Sequence, residues 1–346
     1  MINFASDNVT GIAPEILEAI ARANEGSAAP YGADPLTARV EARLSEIFER
    51  PCRVFPVATG TAANVLALST LVPPYGAIYC HAEAHINVDE CGGPEFYCGG
   101  AKLVPLAGAD AKISAETLAA GVFGAGDVHH AQPAAVSISQ TSELGAVYSP
   151  AETAAIAEVA KARGLAIHVD GARFANALVS LGCSPAELTW KAGVDVLSFG
   201  ASKNGALAAE AVIFFDPARA GDFVFRRKRG GHLFSKMRFL SAQLEAYLTD
   251  DLWLRNAARA NAMAGRLAAG LAALPGVRLA EMPAANALFP RMPRAMVEGL
   301  NAAGFVVRPW GDAALGQVRL VTAFTTTEDE VDAFLACARQ HAAAAE

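Results

Sequence analysis

Strand-like and helix-like segments alternate along the first 215 residues of this chain, and this alternation limits the possible folds more than any other feature. Short apolar runs of β type occupy residues 53–58, 77–80, 102–106, 134–140, 165–170, 194–199 and 211–215. Segments with helical spacing of apolar residues lie at 14–24, 35–49, 60–71 and 150–163. The alternation predicts an α/β fold, with a mostly parallel sheet that carries helices on both faces.

The pattern changes near residue 245. A long alanine-rich helical stretch at 241–274 is followed by β-type runs at 277–281, 287–291, 305–309 and 317–322 and by helices at 293–303 and 327–341. Such a mixture is typical of a smaller α+β unit. We therefore predict two domains: residues 1–245 form an N-terminal arm and a large domain, and residues 246–346 form a small C-terminal domain.

Composition and charge disfavour several classes of protein. Hydrophobic residues make up 53% of the 346 residues and charged residues 18%, which allows a large core and argues against disorder. The net charge of −7 disfavours nucleic acid as the main partner. We interpret the basic run at 226–229 as a solvated helix face, with a nucleic-acid patch or phosphate contacts as the alternatives.

Cysteine usage and the amino terminus bear on the compartment. The six cysteines show neither the pairing of a metal site nor a disulfide framework, and Cys91 and Cys98 have the wrong spacing for zinc. We find no signal peptide and no apolar run long enough to cross a bilayer. These observations predict a cytoplasmic protein with no metal and no membrane partner.

Two residues at predicted strand ends indicate a cofactor site. Lys203 follows an apolar strand and small residues, and Asp170 ends an earlier strand. The lysine amine can form a Schiff base with the aldehyde of pyridoxal phosphate (PLP), and the carboxylate can keep the pyridine nitrogen protonated. Taken singly, each has an ordinary alternative, a surface lysine or a helix-capping aspartate. Together they favour cleavage of a bond at the α-carbon of an amino acid.

Four residues could hold the phosphate of such a cofactor. Gly60 and Thr61 lie where a strand meets a helix, and the free N–H groups and dipole of a helix start favour an anion. Many helices begin in this way without binding one. Arg229, in the basic run, and Arg238 are further candidates for phosphate contacts.

Three more side chains could contact the ring or the substrate. Arg173 has a planar fork that suits a phenolate or a carboxylate, and a solvent-facing ion pair is the alternative. His85 could stack on a pyridine ring and relay a proton, or be a structural histidine. Arg319 is a charge inside an apolar β-type run, where it could bind a substrate carboxylate or lie on an edge strand.

In their order and spacing, these motifs resemble the low-specificity L-threonine aldolase family of fold type I (aspartate-aminotransferase-like) PLP enzymes. The resemblance covers nearly the whole chain. It rests on residues 4–8 (Phe-Ala-Ser-Asp-Asn), 31–35 (Tyr-Gly-Ala-Asp-Pro), 60–61 (Gly-Thr), 84–86 (Ala-His-Ile) and 168–173 (His-Val-Asp-Gly-Ala-Arg), and on Lys203 and Arg319 with their neighbours.

The resemblance implies a role for each cofactor residue. Lys203 would be the Schiff-base lysine, and Gly60 and Thr61 would hold the phosphate. His85 would stack on the ring, and Asp170 would pair with the ring nitrogen. The large domain would then be the PLP-binding domain.

The resemblance also implies how the substrate is bound. Arg173 would sit by the cofactor and the substrate, and Ser6 and Arg319 would bind the substrate carboxylate. Tyr31 would approach the site, from a neighbouring subunit if sites lie at the interface of a homodimer or homotetramer.

Two segments depart from the pattern of the family. Many members carry Glu-Asn-Thr-His where this chain has Gln-Thr-Ser-Glu at 140–143, so Glu143 replaces a histidine and His85 gains weight as the base. The Gly-Ala-Ser-Lys-Asn-Gly segment at 200–205 resembles a bacterial branch that includes enzymes acting on phenylserine.

The expected reaction is cleavage of L-threonine, L-allo-threonine or a related β-hydroxy-α-amino acid to glycine and an aldehyde. Another fold type I PLP enzyme, such as a β-eliminating lyase, an aminotransferase or a racemase, is the first alternative. A non-catalytic homologue that binds a small molecule is the second.

Overall fold

A mixed seven-stranded sheet forms the centre of the protein. The structure, a computed structural model, describes residues 2–311 and 316–343. The order of strands in the sheet is β2-β8-β7-β6-β5-β3-β4, and all neighbours are parallel except β8, which runs antiparallel to both β2 and β7. The described strands are β1 Ile2–Asn3, β2 Arg53–Val57, β3 Gly76–His81, β4 Lys102–Leu106, β5 Gln132–Ser139, β6 Ala166–Gly171, β7 Val196–Gly200, β8 Glu210–Phe214, β9 Ala287–Leu288, β10 Phe305–Val306, β11 Arg308–Pro309 and β12 Val318–Val321.

Helices cover the central sheet, as expected for parallel strands joined by crossovers. The described helices are α1 Pro14–Ala23, α2 Pro35–Ile47, α3 Gly60–Leu71, α4 His85–Val88, α5 Gly93–Tyr97, α6 Ala115–Gly121, α7 Pro150–Ala162, α8 Phe174–Leu181, α9 Phe223–Arg229, α10 Arg238–Leu248, α11 Leu252–Ala272, α12 Arg294–Ala302 and α13 Glu328–Ala343. Throughout residues 2–311 and 316–343, helices are too short or too polar to cross a lipid bilayer.

Aromatic side chains fill the layers on both faces of the sheet. On one face Phe199 of β7 contacts Phe48 and Trp253, with ring centroids 6.5 and 5.6 Å apart. On the other face, the ring centroid of Phe55 on β2 lies 4.6 Å from that of Phe223. Strands β3, β6, β7 and β8 are buried along their whole length, so their sequences are mostly apolar rather than alternating.

A second core lies between α11, α12, α13 and the small sheet β11-β12-β9. The amino-terminal arm joins this core, because β1 pairs in parallel with β10 and Phe4 packs edge-on against Phe334 at 5.3 Å. The arm and the C-terminal part of the chain therefore hold each other in place.

The predicted domain boundary at 245/246 stays a prediction. Helix α11 contributes Ala257 to the large core and Ala264 to the small one.

Two predictions of secondary structure were wrong. The helix expected over 241–274 is divided into α10 and α11, because Asp250 and Asp251 adopt the left-handed region with φ of 50° and 53°. Aspartate tolerates this region better than most residues, so the chain can turn there. The expected strand at 277–281 is reduced to an isolated bridge between Arg278 and Arg291.

Glycines let the ends of β6 and β7 approach each other. A Cβ on Gly171 would lie 2.7 Å from the carbonyl oxygen of Ser198, and one on Gly200 would lie 2.6 Å from that of Ala172. Both approaches are closer than a side chain allows. These glycines therefore bring the carboxyl ends of two parallel strands together, where ligands bind in open α/β sheets.

Candidate active site

A pocket of about 360 Å³ lies at this edge of the sheet, within the size range of small-molecule sites. It brings together five of the predicted residues, Gly60, Thr61, His85, Asp170 and Lys203. They come from the start of α3, the start of α4, the end of β6 and the turn after β7. The other lining residues are Asn8, Ala58, Thr59, Ala63, Ala172, Ser198, Gly200, Ser202, Leu207, Ala208 and Glu210.

The amino terminus of α3 forms one wall and suits a phosphate. Thr59 caps the helix, its side chain accepting a hydrogen bond from the N–H of Ala62 at 3.1 Å. Gly60 and Thr61 follow the cap, and a Cβ on Gly60 would meet open space. A helix of 12 residues presents free N–H groups and the positive end of its dipole here.

Lys203 lies in a short 3-10 turn, Ser202–Asn204, directly after β7. Burial lowers the pKa of its amine, and the nearby charge of Arg173 lowers it further, while Asp7, Asp170 and Glu210 act in the opposite direction. A lowered pKa leaves more of the amine in the neutral form that attacks a carbonyl.

A chain of hydrogen bonds links His85 to Asp170. His85 Nδ1 lies 2.9 Å from Glu90 Oε1, which accepts a hydrogen bond from Asn64 Nδ2 at 2.8 Å. The same amide nitrogen donates to Asp170 Oδ2 at 2.8 Å. Sequence reasoning missed Asn64 and Glu90. The available signal was a polar side chain, Asn64, among the apolar residues of α3.

His85, Glu90 and Asp170 each offer one atom that could bind a metal, and these atoms lie within 4.8 Å of one another. The sequence predicted no metal. The three groups are already joined through the Asn64 amide. Paired in this way, the carboxylates act as acceptors that orient the imidazole and the amide.

Glu143, which stands where many members of the resembled family have a histidine, contacts the first residue of α4. Its Oε1 accepts hydrogen bonds from the N–H of His85 and from the hydroxyl of Ser139, both at 2.9 Å. Burial raises the pKa of Glu143, although these hydrogen bonds oppose the shift. The glutamate therefore fixes the backbone of His85.

Arg173 is held by Asp7. Its Nε and Nη2 donate to the two carboxylate oxygens at 2.7 and 2.8 Å, and Asn286 donates to the same carboxylate at 3.1 Å. The side chains of Arg173 and Asp7 are only 13% and 2% exposed. Burial alone would raise the pKa of Asp7, but the charge and hydrogen bonds of Arg173 hold it below its ordinary value. Asp7 was not foreseen as a partner.

Arg319 lies on β12 beside this ion pair. Its guanidinium carbon is 5.2 Å from the centre of the Trp310 ring, and its buried Nε has no hydrogen-bond partner among residues 2–311 and 316–343. Burial and the charge of Arg173 lower its pKa. An incoming carboxylate would satisfy both the charge and the vacant donor. Ser6 is the other predicted carboxylate contact, and it caps the short turn Asp7–Val9 by accepting a hydrogen bond from the N–H of Asn8 at 3.1 Å.

Three predicted residues lie away from the pocket of their own chain. Tyr31 is 49% exposed, with the Lys228 ammonium 4.8 Å from its ring centre. Arg229 lines a separate surface cavity, and Arg238 donates to the carbonyl oxygens of residues 25 and 26 at 3.3 and 3.2 Å. None of the three lines the pocket that contains Lys203 and Asp170.

A family model described as Beta-eliminating lyase matches residues 3–292. The chain belongs to this family. Within it, the chain is 43% identical to the low-specificity L-threonine aldolase of a Pseudomonas species over 95% of this chain and 94% of the relative. It is 45% identical to that of Pseudomonas aeruginosa over 87% of both.

A solved structure agrees with these relatives. The threonine aldolase of Leishmania major has 31% sequence identity and a TM-score of 0.92, covering 98% of this chain and 99% of that one. The predicted family, the fold type I class, the PLP cofactor and the carbon–carbon lyase class are confirmed. The cytoplasmic location and the role of each site residue stay predictions.

Proposed function

We propose that this chain is a PLP-dependent aldolase that cleaves L-threonine, L-allo-threonine or a related β-hydroxy-α-amino acid to glycine and an aldehyde. The presence of Lys203 and Asp170 in one pocket, together with the start of α3, carries the proposal. The names of the Pseudomonas and Leishmania relatives support the choice of substrate.

The cofactor would be held by residues with separate tasks. Lys203 would anchor it covalently, Gly60 and Thr61 would hold its phosphate, and Asp170 would accept a hydrogen bond from its ring nitrogen. PLP supplies a ring that accepts the electron pair left when a bond at the α-carbon breaks. Asn64 fixes the orientation of the Asp170 carboxylate, so this acceptor is positioned before the cofactor arrives.

The substrate carboxylate would bind at Arg319 and Ser6. A bidentate contact with a guanidinium fixes orientation as well as affinity. Orientation decides the reaction, because the bond that stands perpendicular to the cofactor ring is the one that breaks. Holding the carboxylate can supply several kcal/mol of the catalytic effect, up to about 7–11 kcal/mol in well-oriented systems.

His85 is the base that would take the proton of the β-hydroxyl. Its Nδ1 is bound to Glu90, which leaves Nε2 to accept a proton. The hydrogen bond that His85 Nδ1 donates to Glu90 raises the pKa of His85 above its ordinary value of 6.5, although burial opposes this. Activity therefore rises with pH through a value above 6.5, as the imidazole becomes neutral.

We expect the His85→Asn variant to lower kcat about 10²–10⁴-fold, because it removes one positioned base. The acidic limb of the pH–rate profile should disappear with the imidazole. Steady-state kinetics from about pH 5 to 10, a range chosen to extend well to both sides of the titration of the imidazole, measure both effects. The matched control is His129→Asn, in an exposed loop. An unchanged kcat in His85→Asn would exclude this base.

The reaction is tested by incubating the holoenzyme with L-threonine, L-allo-threonine and phenylserine and assaying glycine and the aldehyde. We expect both products in equal amounts, and phenylserine as a preferred substrate would support the branch suggested by residues 200–205. The description of the family favours β-elimination as the second candidate. With loss of ammonia, 2-oxobutyrate from the two threonines or phenylpyruvate from phenylserine as the main product would establish that alternative and refute the aldolase.

Oligomerisation to a homodimer or homotetramer is part of the proposal. Phe96 and Phe225 are 79% and 74% exposed and line one cavity together with Arg229. Burying such aromatic side chains against another subunit stabilises an oligomer. Light scattering on the eluting protein measures the mass, and a monomer at working concentration would contradict shared sites.

A further inference from the structure

Glu210 is a buried carboxyl group inside the central sheet, where its neighbours on β8 are all apolar. It is the first residue of the strand and is 6% exposed. In the register of the sheet it lies opposite Gly200 on β7 and Val57 on β2. Its side chain also lines the pocket. A buried carboxyl in such a place needs partners.

The partners of Glu210 belong to the turn that carries Lys203. Oε2 accepts a hydrogen bond from the N–H of Ala201 at 2.7 Å. The hydroxyl and the backbone of Ser202 also act on this carboxyl group, since both oppose the rise of its pKa. Ala201 directly precedes the 3-10 turn and offers no side-chain cap of its own, and Ser202 is the first residue of the turn.

A three-residue helix cannot hold itself, because forming one turn costs more than its hydrogen bonds return. The far end of this turn is fixed by Asn204, whose Nδ2 donates to Tyr247 Oη and to the carbonyl oxygen of Trp253, both at 2.8 Å. Glu210 fixes the near end. Lys203 lies between the two.

The charge of Glu210 also reaches Lys203. Burial raises the pKa of Glu210 to about 7, against its hydrogen bonds and the charge of Lys203. Tyr247, on α10, is a further titratable group near it, since the charge of Glu210 adds to the effect of burial in raising the pKa of that hydroxyl. The facing residues on β2 and β7, Val57 and Gly200, do not titrate. An ionised Glu210 raises the pKa of Lys203, as do Asp7 and Asp170.

We propose that Glu210 is a positioning residue for Lys203: it caps the turn through Ala201 and Ser202, keeps the lysine at the pocket and tunes its charge. This inference rests on the proposed role of Lys203. Nothing in the chemistry requires Glu210 to touch the substrate.

Two variants separate the cap from the charge. Glu210→Gln keeps an oxygen that accepts from Ala201 but removes the charge. We expect the midpoint of the pH titration of the visible absorbance of bound PLP to fall by about half a unit to one unit. Glu210→Ala removes the cap, so the PLP dissociation constant of the apoprotein should rise about tenfold or more.

The matched control is Asp195→Asn. Asp195 Oδ2 accepts a hydrogen bond from the N–H of Ile167 at 2.8 Å, so this carboxylate, like that of Glu210, binds a backbone N–H. Asp195 directly precedes β7, whereas Lys203 follows the other end of that strand. Its PLP affinity and titration midpoint should match the wild type. Thermal unfolding checks that each variant folds. If Glu210→Ala does not fold, the titration midpoint of Glu210→Gln alone tests the role of Glu210.

Borohydride reduction and peptide mass spectrometry of the wild-type holoenzyme separate the two proposals. One outcome is that the wild type carries the adduct on Lys203, while both Glu210 variants have the PLP affinity and the titration midpoint of the wild type. Glu210 then has no positioning role, and the proposed function stands. A wild-type protein without an adduct on Lys203 would overturn both.

Discussion

Replacing Lys203 with alanine should lower turnover by about four orders of magnitude or more, the largest effect we expect of any single substitution. The amine is the group that would hold the cofactor covalently and release it to each new substrate. The residue lies in the pocket with Asp170 and Glu210, and no other lysine lines that pocket among the residues that the structure describes. Single-turnover and steady-state assays of glycine formation measure the loss.

The matched control for Lys203 is Lys191→Ala. Lys191 is exposed and forms a surface ion pair with Glu49 at 2.6 Å, so we expect wild-type turnover and colour. The wild type should be yellow, and reduction with borohydride should fix the cofactor to Lys203. Wild-type turnover in Lys203→Ala would refute the assignment. A colourless wild type that PLP cannot reconstitute would favour the non-catalytic alternative.

The second large effect concerns stability. We expect Asp7→Asn to lower the free energy of unfolding by about 3–5 kcal/mol, because it leaves the buried guanidinium of Arg173 without its counter-ion. Arg319 and Lys203 add positive charge nearby, since both act on this ion pair. Equilibrium unfolding in urea, followed by fluorescence and circular dichroism, measures the change.

The control for Asp7 has the same bidentate geometry at the surface. Arg266 donates to Asp332 at 3.0 and 2.8 Å, with side chains 42% and 53% exposed. Because water and salt screen this pair, Asp332→Asn should change stability little. Equal losses in Asp7→Asn and Asp332→Asn would contradict the importance of burial.

The stabilisation by Asp7 should depend on pH in a defined direction. Arg173 lowers the pKa of Asp7 below 3.8, its ordinary value, which is the value expected in the unfolded chain. The folded state therefore binds the proton more weakly, and the stabilisation is complete above about pH 4. It is lost as the pH falls through the lowered pKa. The difference between the wild type and Asp7→Asn should shrink over that acidic range.

Local pattern was sufficient for most elements of the fold. Helix α3 and strand β4 were predicted at their observed bounds, 60–71 and 102–106. In both elements, the apolar residues that indicate the type of element and the residues that mark its ends lie within a few positions of each other in the sequence. The break between α10 and α11 was missed, because it depends on left-handed backbone angles at Asp250 and Asp251 that packing selects.

The sequence by itself was sufficient to predict that the proposed cofactor residues share one pocket. Lys203 follows β7, Asp170 lies at the end of β6, and Gly60 and Thr61 begin α3. The carboxyl ends of parallel strands meet at one edge of the sheet whatever the details of packing. The prediction that they share a site therefore needed only the order of the elements.

Only the tertiary structure decided what supports these residues. Asp7 and Arg173 are 166 positions apart, and Asn64 and Asp170 are 106 apart. A buried charge takes whichever partner the fold brings within about 3 Å, and no local pattern records that distance. The partner of Glu210 was likewise not predictable from local sequence. Its role follows from the hydrogen bond with Ala201, before the turn that carries Lys203.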